Sequence, residues 1–210
     1  MGPENALRIP KLSLAELEES LGCILGEQFA VLTFHPVTLE HNTAESQTKE
    51  LLAALSAFPD ITFLCTKANA DAEGRIINCM LEEYAKTHEN VYLFDSLGAK
   101  RYLSALQYAL FVIGNSSSGL AEVPSFGIPT INIGDRQKGR MQGKSIINCL
   151  PQTDSIKQAI KTALSPDFRV VAANAENPYG DGNTSSKIAG IVHDLMINNK
   201  LNLKKKFYDL

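Results

Sequence analysis

The stretch VIGNSSSGLAE, residues 112–122, contains the transition that decides the fold. The apolar run 109–113 leads into it and is typical of a strand that is buried on both faces of a sheet. Residues 119–126 follow with the pattern of a short helix. A strand that passes directly into a helix is typical of a parallel α/β sheet, in which ligands bind beyond the carboxyl ends of the strands.

The same alternation of strands and helices extends along the chain on both sides of this stretch. Short β-rich runs alternate with longer segments whose apolar residues have helical spacing. The predicted strands are residues 29–34, 61–65, 91–94, 109–113, 130–133 and 145–148, and the predicted helices are residues 43–58, 72–86, 99–108, 119–126, 153–164 and 184–197. We therefore predict an α/β fold with a Rossmann-like, doubly wound parallel sheet.

The ends of the chain depart from this alternation. Residues 1–28 are predicted to be a linker with one short helix, and residues 29–176 to form the Rossmann-like domain. A dense cluster of turn residues then introduces a returning C-terminal helix within 177–198. A basic tail over 199–210 ends the chain.

Several polar residues are predicted to mark where helices begin. Ser13 and Glu16 form a capping-box pattern for the short N-terminal helix. The dipeptide Asp95-Ser96 offers an N-cap to the helix that follows it, and Thr153 or Asp154 offers one to a later helix. These helix starts support the alternation of strands and helices.

The composition indicates an ordinary globular protein. The 210 residues are 44% hydrophobic and 20% charged, and the formal net charge of −3 gives no reason to expect nucleic acid or a membrane as partner. No apolar run approaches the ~20 residues of a membrane span, and the N-terminus has no signal-peptide pattern. Cys23, Cys65, Cys79 and Cys149 form neither a zinc-ligand nor a disulfide pattern. We expect reduced core thiols, no bound metal or cofactor, and a cytoplasmic location.

Polar residues lie in four loops that directly follow predicted strands. These loops contain His35-Pro36, Asp95-Ser96, residues 115–118 and residues 134–144. Because parallel strands end at the same edge of a sheet, we expect these loops to share one crevice. A purely structural loop has no need of so many polar side chains.

Ser116 and Ser117 are the candidates for holding a phosphate or a diphosphate in that crevice. A helix N-terminus carries unbonded N–H groups and a partial positive charge, and serine adds hydroxyl donors to them. The alternative is that one serine only caps the helix, which stabilises it by ~1 kcal/mol, while the others fill the loop.

Three further residues would complete a nucleotide site. Glu122 lies on the first turns of the same helix, where its carboxylate would accept hydrogen bonds from a ribose diol. Arg136 offers a bidentate ligand for phosphate, and His35 would donate to a diphosphate or help to protonate a leaving group. The alternatives are a surface glutamate that complements the helix dipole, a solvated basic loop and a histidine tied to a local carbonyl.

Three stretches resemble the C-terminal domain of the hydrolysing UDP-N-acetylglucosamine 2-epimerases of the sialic-acid pathway. They are TFHPVTLE at 33–40, GNSSSGLAEVPSFGIPTINIGDRQKGR at 114–140 and NPYGDGNTS at 177–185. The resemblance implies a GT-B architecture, in which two Rossmann-like domains hold a UDP-sugar between them and UDP lies mostly on the second. This chain resembles that second, nucleotide-binding half.

The resemblance also implies a role for each candidate residue. His35 would lie by the diphosphate as a candidate catalytic residue, and Arg136 would lie near the same group. The remaining assignments are the backbone of Leu93 and Phe94 to uracil, Ser116 and Ser117 to the phosphates, and Glu122 to the ribose hydroxyls.

The family reaction expels UDP by anti elimination to give a glycal, and water then adds to release N-acetylmannosamine. The carboxylates thought to move protons in this reaction belong to the family's first domain, which the resemblance does not cover. We therefore expect this chain to be one half of the enzyme, with the N-terminal domain as its partner. Alone, it is expected to bind UDP or UDP-GlcNAc weakly without turnover, and a homo-oligomer is among the expected partners.

Other functions remain open at this point. One is a GT-B glycosyltransferase domain that uses a UDP-sugar, and another is an epimerase of the same family that acts on a GDP-sugar or another nucleotide sugar. A third is a non-catalytic nucleotide-binding module. A purely structural α/β module would leave the polar loops unexplained.

Overall fold

A computed structural model describes residues 2–37, 42–69 and 72–198. Its centre is a six-stranded parallel sheet with the strand order β3-β2-β1-β4-β5-β6. The strands are β1 Phe29–Thr33, β2 Thr62–Thr66, β3 Val91–Phe94, β4 Val112–Gly114, β5 Thr130–Ile133 and β6 Ile146–Cys149. This order reverses between β1 and β4, as in doubly wound nucleotide-binding sheets, so the predicted fold class is confirmed.

Helices cover both faces of the sheet. They are α1 Gly2–Arg8, α2 Leu14–Leu21, α3 Ala44–Leu55, α4 Ala72–Thr87, α5 Gly98–Ala105, α6 Ser118–Ala121, α7 Thr153–Leu164, α8 Pro166–Ala173 and α9 Thr184–Ile197, with a 3₁₀ helix at Val123–Phe126. The helices α3, α4 and α7 supply one hydrophobic core, and α1, α2, α5 and the 3₁₀ helix supply the other. The sheet therefore lies between two cores.

Strand β1 shows why this sheet is buried on both faces. Ala30 and Leu32 pack into one core, while Phe29 and Val31 point to the other face and pack into the second. Successive side chains of a strand alternate between faces, so an uninterrupted apolar run supplies both cores at once.

The structure adds two helices that the sequence patterns did not predict. Residues 2–8, within the segment expected to be a linker, form α1, whose Ala6 is buried. Pro166–Ala173 form α8, which begins with the Ser165 side chain accepting a hydrogen bond from the N–H of Phe168. The Ser13–Glu16 capping box is present as predicted.

Two predicted N-caps are wrong, although residue 153 is confirmed as the first residue of α7. Helix α7 has no cap from its own first residues, because Glu50 on α3 accepts hydrogen bonds from the Thr153 N–H and hydroxyl at 2.6 and 2.5 Å. The N-cap of α5 is Leu97, without a side-chain cap. The Ser96 hydroxyl still accepts a hydrogen bond from the N–H of Gly98 at 3.2 Å.

Helix α9 meets the rest of the fold through α1. Glu4 accepts hydrogen bonds from the N–H and hydroxyl of Ser185 at 3.0 and 2.6 Å. No side chain between residues 184 and 197 is buried, and most of the apolar ones are exposed. The exposed apolar side chains of α9 are Ile188, Ile191, Val192, Met196 and Ile197.

The cysteines agree only in part with the expectation of core thiols. All four cysteines are free thiols, and Cys65 is buried as expected. Cys79, however, is exposed on α4, so the expectation of a core thiol is wrong there. The basic tail over 199–210 lies outside the described residues, as do residues 38–41 of the stretch TFHPVTLE. In the part of the chain that the structure describes, no helix is long and apolar enough to cross a membrane.

Candidate functional site

The site is built where β1 and β4 lie side by side and the strand order reverses. Thr33 and Gly114 are partners in this pairing. Gly114 has φ +136°, and a Cβ atom placed on it would lie 1.9 Å from the carbonyl oxygen of Thr33. Only glycine accommodates both the backbone conformation and this close approach. The glycine at the start of the serine row therefore brings the two strand ends together.

Asn115 ties the loop after β1 to the loop after β4. Its Oδ1 accepts a hydrogen bond from the backbone N–H of His35 at 2.8 Å, and its Nδ2 donates to the carbonyl of His35 at 2.7 Å. The Asn115 side chain is buried, so this paired contact is shielded from water. The position of His35 is fixed by an amide that the sequence did not identify.

The backbone of Asn115 also anchors the loop after β5. Its carbonyl accepts hydrogen bonds from Arg136 Nη1 at 3.0 Å and from Gln137 Nε2 at 2.7 Å. The guanidinium of Arg136 thus lies beside the residue that precedes Ser116. The structure brings the predicted residues His35, Ser116 and Arg136 together around one asparagine.

The serine row leads into a helix of a single turn. Helix α6 continues, after Glu122, as the 3₁₀ helix. Ser117 is the N-cap residue but makes no side-chain cap bond, and the Ser116 hydroxyl accepts only a long hydrogen bond, 3.4 Å, from the N–H of Ser118. Within the described part of the chain, the N–H groups of Ser116 and Ser117 donate to no acceptor. Unbonded N–H groups at the start of a helix favour the binding of an anion. The alternative, that a serine only caps the helix, lacks the side-chain bond that a cap would make.

A cleft of about 520 Å³ opens next to the serine row, over the ends of β1, β2 and β3. Of the predicted site residues, His35 and Glu122 line it, and Ser118 extends the serine row into its wall. Its lining, within the described residues, is Thr33, His35, Thr66, Lys67, Ala68, Asn69, Asp95, Ser96, Leu97, Gly98, Ala99, Tyr102, Ser118 and Glu122. The cleft thus joins three of the four polar loops that the sequence singled out.

Leu93 and Phe94 do not line this cleft. Both are partly buried on β3 and pack against opposite cores of the sheet. The residues that follow them, 95–99, form the wall at this end. The loop after β3 thus contributes to the cleft through residues further along than those predicted.

Glu122 is held by Ser118, which in turn contacts Tyr102, and the sequence analysis predicted neither contact. The Ser118 hydroxyl donates to Glu122 Oε2, and the Tyr102 hydroxyl lies 2.7 Å from the Ser118 hydroxyl. Burial raises the pKa of the Tyr102 hydroxyl above its ordinary value of 10.0, so the group stays protonated at neutral pH. No local pattern signals this contact, because Tyr102 and Ser118 belong to different helices.

Lys67 is a cation in the cleft that the sequence also did not reveal. Its ammonium lies 2.6 Å from Asp95 and 2.8 Å from Glu82. The hydrogen bonds to Asp95 and Glu82 raise the pKa of Lys67, so it is charged throughout the physiological range. This pairing links the loop after β2 to the loop after β3.

A second cavity of about 410 Å³ lies beyond the ends of β5 and β6. Asn132 donates to Asn148 at 2.8 Å, and Asn148 donates to Gln142 at 2.7 Å. None of the individually predicted site residues lines it. Among the described residues, no group of three or more histidine, cysteine or acidic side chains could hold a metal ion.

The comparison with protein families decides the affiliation of the chain. The family model described as UDP-N-acetylglucosamine 2-epimerase matches residues 6–193. The chain belongs to this family. The match covers the sheet, the cleft and most of α9, and it agrees with the resemblance of the three sequence stretches.

Individual members of the epimerase family are similar over different shares of their length. The polysialic acid biosynthesis protein P7 of Escherichia coli is 37% identical over 211 residues, which cover 100% of this chain and 53% of the relative. The GDP/UDP-N,N'-diacetylbacillosamine 2-epimerase (hydrolyzing) of Campylobacter jejuni is 39% identical over 159 residues, 75% of this chain and 41% of the relative. The chain spans about half the length of the curated relatives it matches.

A solved structure supports the fold. The UDP-GlcNAc 2-epimerase of Neisseria meningitidis, bound to UDP-GlcNAc, superposes with a TM-score of 0.71 at 17% identity. The superposition covers 86% of this chain and 48% of that protein. This likeness agrees with the predicted Rossmann-like parallel sheet.

Proposed function

We propose that this chain is the nucleotide-binding part of a hydrolysing UDP-N-acetylglucosamine 2-epimerase and that its cleft takes UDP. The observation that carries the proposal is the meeting of His35, the serine row and Arg136 at the point where the strand order reverses. Ligands of doubly wound sheets bind at this point. Family membership over residues 6–193 supports the same assignment.

In this proposal the diphosphate lies at the serine row. The N–H groups and hydroxyls of Ser116 and Ser117 donate to it, and Arg136 and His35 add charge and a further donor. A charged hydrogen bond contributes about 1.5–3 kcal/mol, whereas micromolar affinity needs ~8 kcal/mol, so several of these donors must act together. Negative charge grows on UDP as it leaves, and donors placed there stabilise the transition state.

The nucleoside occupies the rest of the cleft in this proposal. Glu122 accepts hydrogen bonds from the ribose hydroxyls, and the base lies at the end of β3, against the backbone of Leu93 and Phe94 and the loop that follows. The cleft wall at residues 95–99 supports a base at this end.

We propose that the whole protein releases UDP and N-acetylmannosamine from UDP-GlcNAc by elimination and hydration, and that this chain alone does not. Proton transfer at the sugar needs unengaged acidic or basic groups. In the cleft as described, Asp95 is paired with Lys67, and Glu122 is bonded to Ser118. The name of the Campylobacter relative supports the hydrolysing type. The remaining part of the protein would face the cleft as partner and supply the missing groups.

A GDP-sugar is the second candidate substrate. The printed name of the Campylobacter relative includes both GDP and UDP. The diphosphate donors proposed here are common to both nucleotides, so the base alone would distinguish them. As the compartment we propose the cytoplasm, which four free thiols support, and a homo-oligomer stays a prediction.

Calorimetric titration of the chain with UDP and with GDP tests the proposal. UDP is expected to bind more tightly than GDP, and Ser117→Ala combined with Arg136→Ala is expected to weaken UDP binding by about 100- to 10,000-fold, as loss of two charged hydrogen bonds predicts. Arg169→Ala, an exposed arginine on α8, is the control and should bind UDP like the wild type. Absence of UDP binding, or binding indifferent to the double substitution, would overturn the proposed site.

A further inference from the structure

Three side chains on one wall of the cleft form a continuous hydrogen-bonded series. Tyr102 lies on α5, and Ser118 and Glu122 lie four residues apart on α6 and its end, so that they share one helix face. The Tyr102 and Ser118 hydroxyl oxygens are 2.7 Å apart. All three residues line the cleft.

The number of hydroxyl protons fixes the direction of each hydrogen bond in this series. Ser118 has a single hydroxyl proton, and it is donated to the carboxylate of Glu122. The Tyr102 hydroxyl must therefore donate to Ser118 rather than accept from it. Donation in one direction strengthens both bonds, because each donor is polarised by the next acceptor.

This hydrogen-bonded series leaves one carboxylate oxygen of Glu122 for a ligand. Oε2 accepts from Ser118, whereas Oε1 accepts no hydrogen bond from the residues that the structure describes. A glutamate side chain otherwise samples several rotamers, and fixing it before binding lowers the entropy that a ligand must overcome.

We propose that Tyr102 and Ser118 are positioning residues that fix the Glu122 carboxylate for the vicinal hydroxyls of a ribose. This inference rests on the proposed function, since it assigns the cleft to a nucleotide. Neither residue need touch the nucleotide itself for this role. Tyr102 acts through Ser118, and Ser118 acts through Glu122.

The test compares two ligands that differ only in the ribose hydroxyls. The affinities of UDP and 2′,3′-dideoxy-UDP are measured by calorimetry, and their ratio reports what the hydroxyls contribute. In the wild type this ratio is expected to be about 10–100, as one hydrogen bond to a charged group predicts. Tyr102→Phe should lower the ratio several-fold through weaker UDP binding, while the affinity for the dideoxy nucleotide stays unchanged.

Two further variants sharpen the test. Ser118→Ala should lower the ratio at least as far as Tyr102→Phe, and the double variant should lose no more than Ser118→Ala alone, because the two residues act in series. Tyr108→Phe removes the same hydroxyl from a tyrosine that bonds the Leu12 carbonyl outside the cleft. It should leave the ratio at its wild-type value.

The outcomes distinguish a failure of the positioning role from a failure of the proposed function. If Tyr102→Phe leaves the ratio unchanged, or weakens both ligands equally, Tyr102 has no positioning role, although the UDP site stands. If the wild-type chain binds neither ligand, the proposed function fails and this inference fails with it. A lowered ratio with an unchanged dideoxy affinity supports both.

Discussion

At the level of single residues, Gly114 and Asn115 determine how closely the ends of β1 and β4 can approach. Because Gly114 has no side chain, its backbone can lie against the backbone of Thr33. Beyond the end of the strand pairing, the side-chain amide of Asn115 makes the hydrogen bonds to the backbone of His35. Both residues precede the serine row. They place it beside His35 before any ligand binds, which is the preorganisation that a binding site needs.

We predict that Gly114→Ala severely destabilises the fold. The new methyl group would meet the Thr33 carbonyl, and the backbone has φ +136°. The expected loss in the free energy of unfolding is about 3–5 kcal/mol, measured by urea denaturation. Gly134→Ala is the matched control, because Gly134 has φ +68° with open space around it, and it should lose only about 1–2 kcal/mol. Equal losses in the two variants would contradict this account of Gly114.

Asn115→Ala is expected to leave two backbone groups of His35 without their partner. Each unsatisfied buried group costs about 1–3 kcal/mol, so the expected loss of stability is about 2–6 kcal/mol, together with weaker UDP binding. Asn174→Ala also removes a side-chain hydrogen bond to backbone, but at an exposed position on the C-terminal end of α8. It should change the free energy of unfolding by less than ~0.5 kcal/mol. A similarly small effect for Asn115→Ala would refute the role of the amide.

The serine row could be predicted from the sequence, whereas its supporting residues could not. Small hydroxyl residues between a strand and a helix form a local pattern, and the row lies where that pattern places it. Tyr102 meets Ser118 from a different helix, and Lys67 meets Asp95 from the end of a neighbouring strand. Contacts of this kind depend on the strand order, which no local pattern encodes.

At the level of elements, the contact between α1 and α9 depends on one carboxylate. Glu4 accepts two hydrogen bonds from Ser185 and pairs with Arg8 at 2.9 Å. The hydrogen bonds from Ser185 hold the pKa of Glu4 below its ordinary value of 4.5. The first turn of α9 is therefore attached to the fold through an ionised group.

This attachment is expected to depend on pH. A carboxyl group whose pKa is lowered by folding stabilises the folded state fully above about pH 4.5, and the contribution is lost as the pH falls through the lowered pKa. We predict that the hydrogen-exchange protection of the Ser185 amide falls in this acidic range, and that Glu4→Gln removes the pH dependence. Glu19→Gln, an exposed carboxylate on α2, should retain it. Protection that is independent of pH in the wild type would contradict the role of Glu4.

The elements also show what sequence patterns can and cannot predict. The strands were predictable because they are short apolar runs between turn residues, and the Ser13–Glu16 box is a local signal. Helix α8 had a readable signal, since Ser165 at the N-cap and Pro166 at the first helical position are a common helix start. The start of α7 at Thr153 was predictable, but its cap was not, because Glu50 reaches Thr153 from α3.

At the level of the whole molecule, the order of the strands separates two regions of one sheet edge. The larger cleft lies over β1, β2 and β3, and the smaller cavity lies over β5 and β6. The distance from β3 to β4 is three strand spacings, about 14 Å, which suits a base at one end and a diphosphate at the serine row. In the proposed function, a nucleotide lies along this edge.

The most direct test of this placement is an amide NMR titration of the isotope-labelled chain with UDP. Chemical shifts are expected to change at residues 116–118, at His35 and Glu122, and in the 95–99 wall of the cleft. Amides around the smaller cavity, such as those of Cys149 and Leu150, should stay in place. Shift changes confined to the smaller cavity, or none at saturating UDP, would contradict the placement of a nucleotide at the β1–β4 junction.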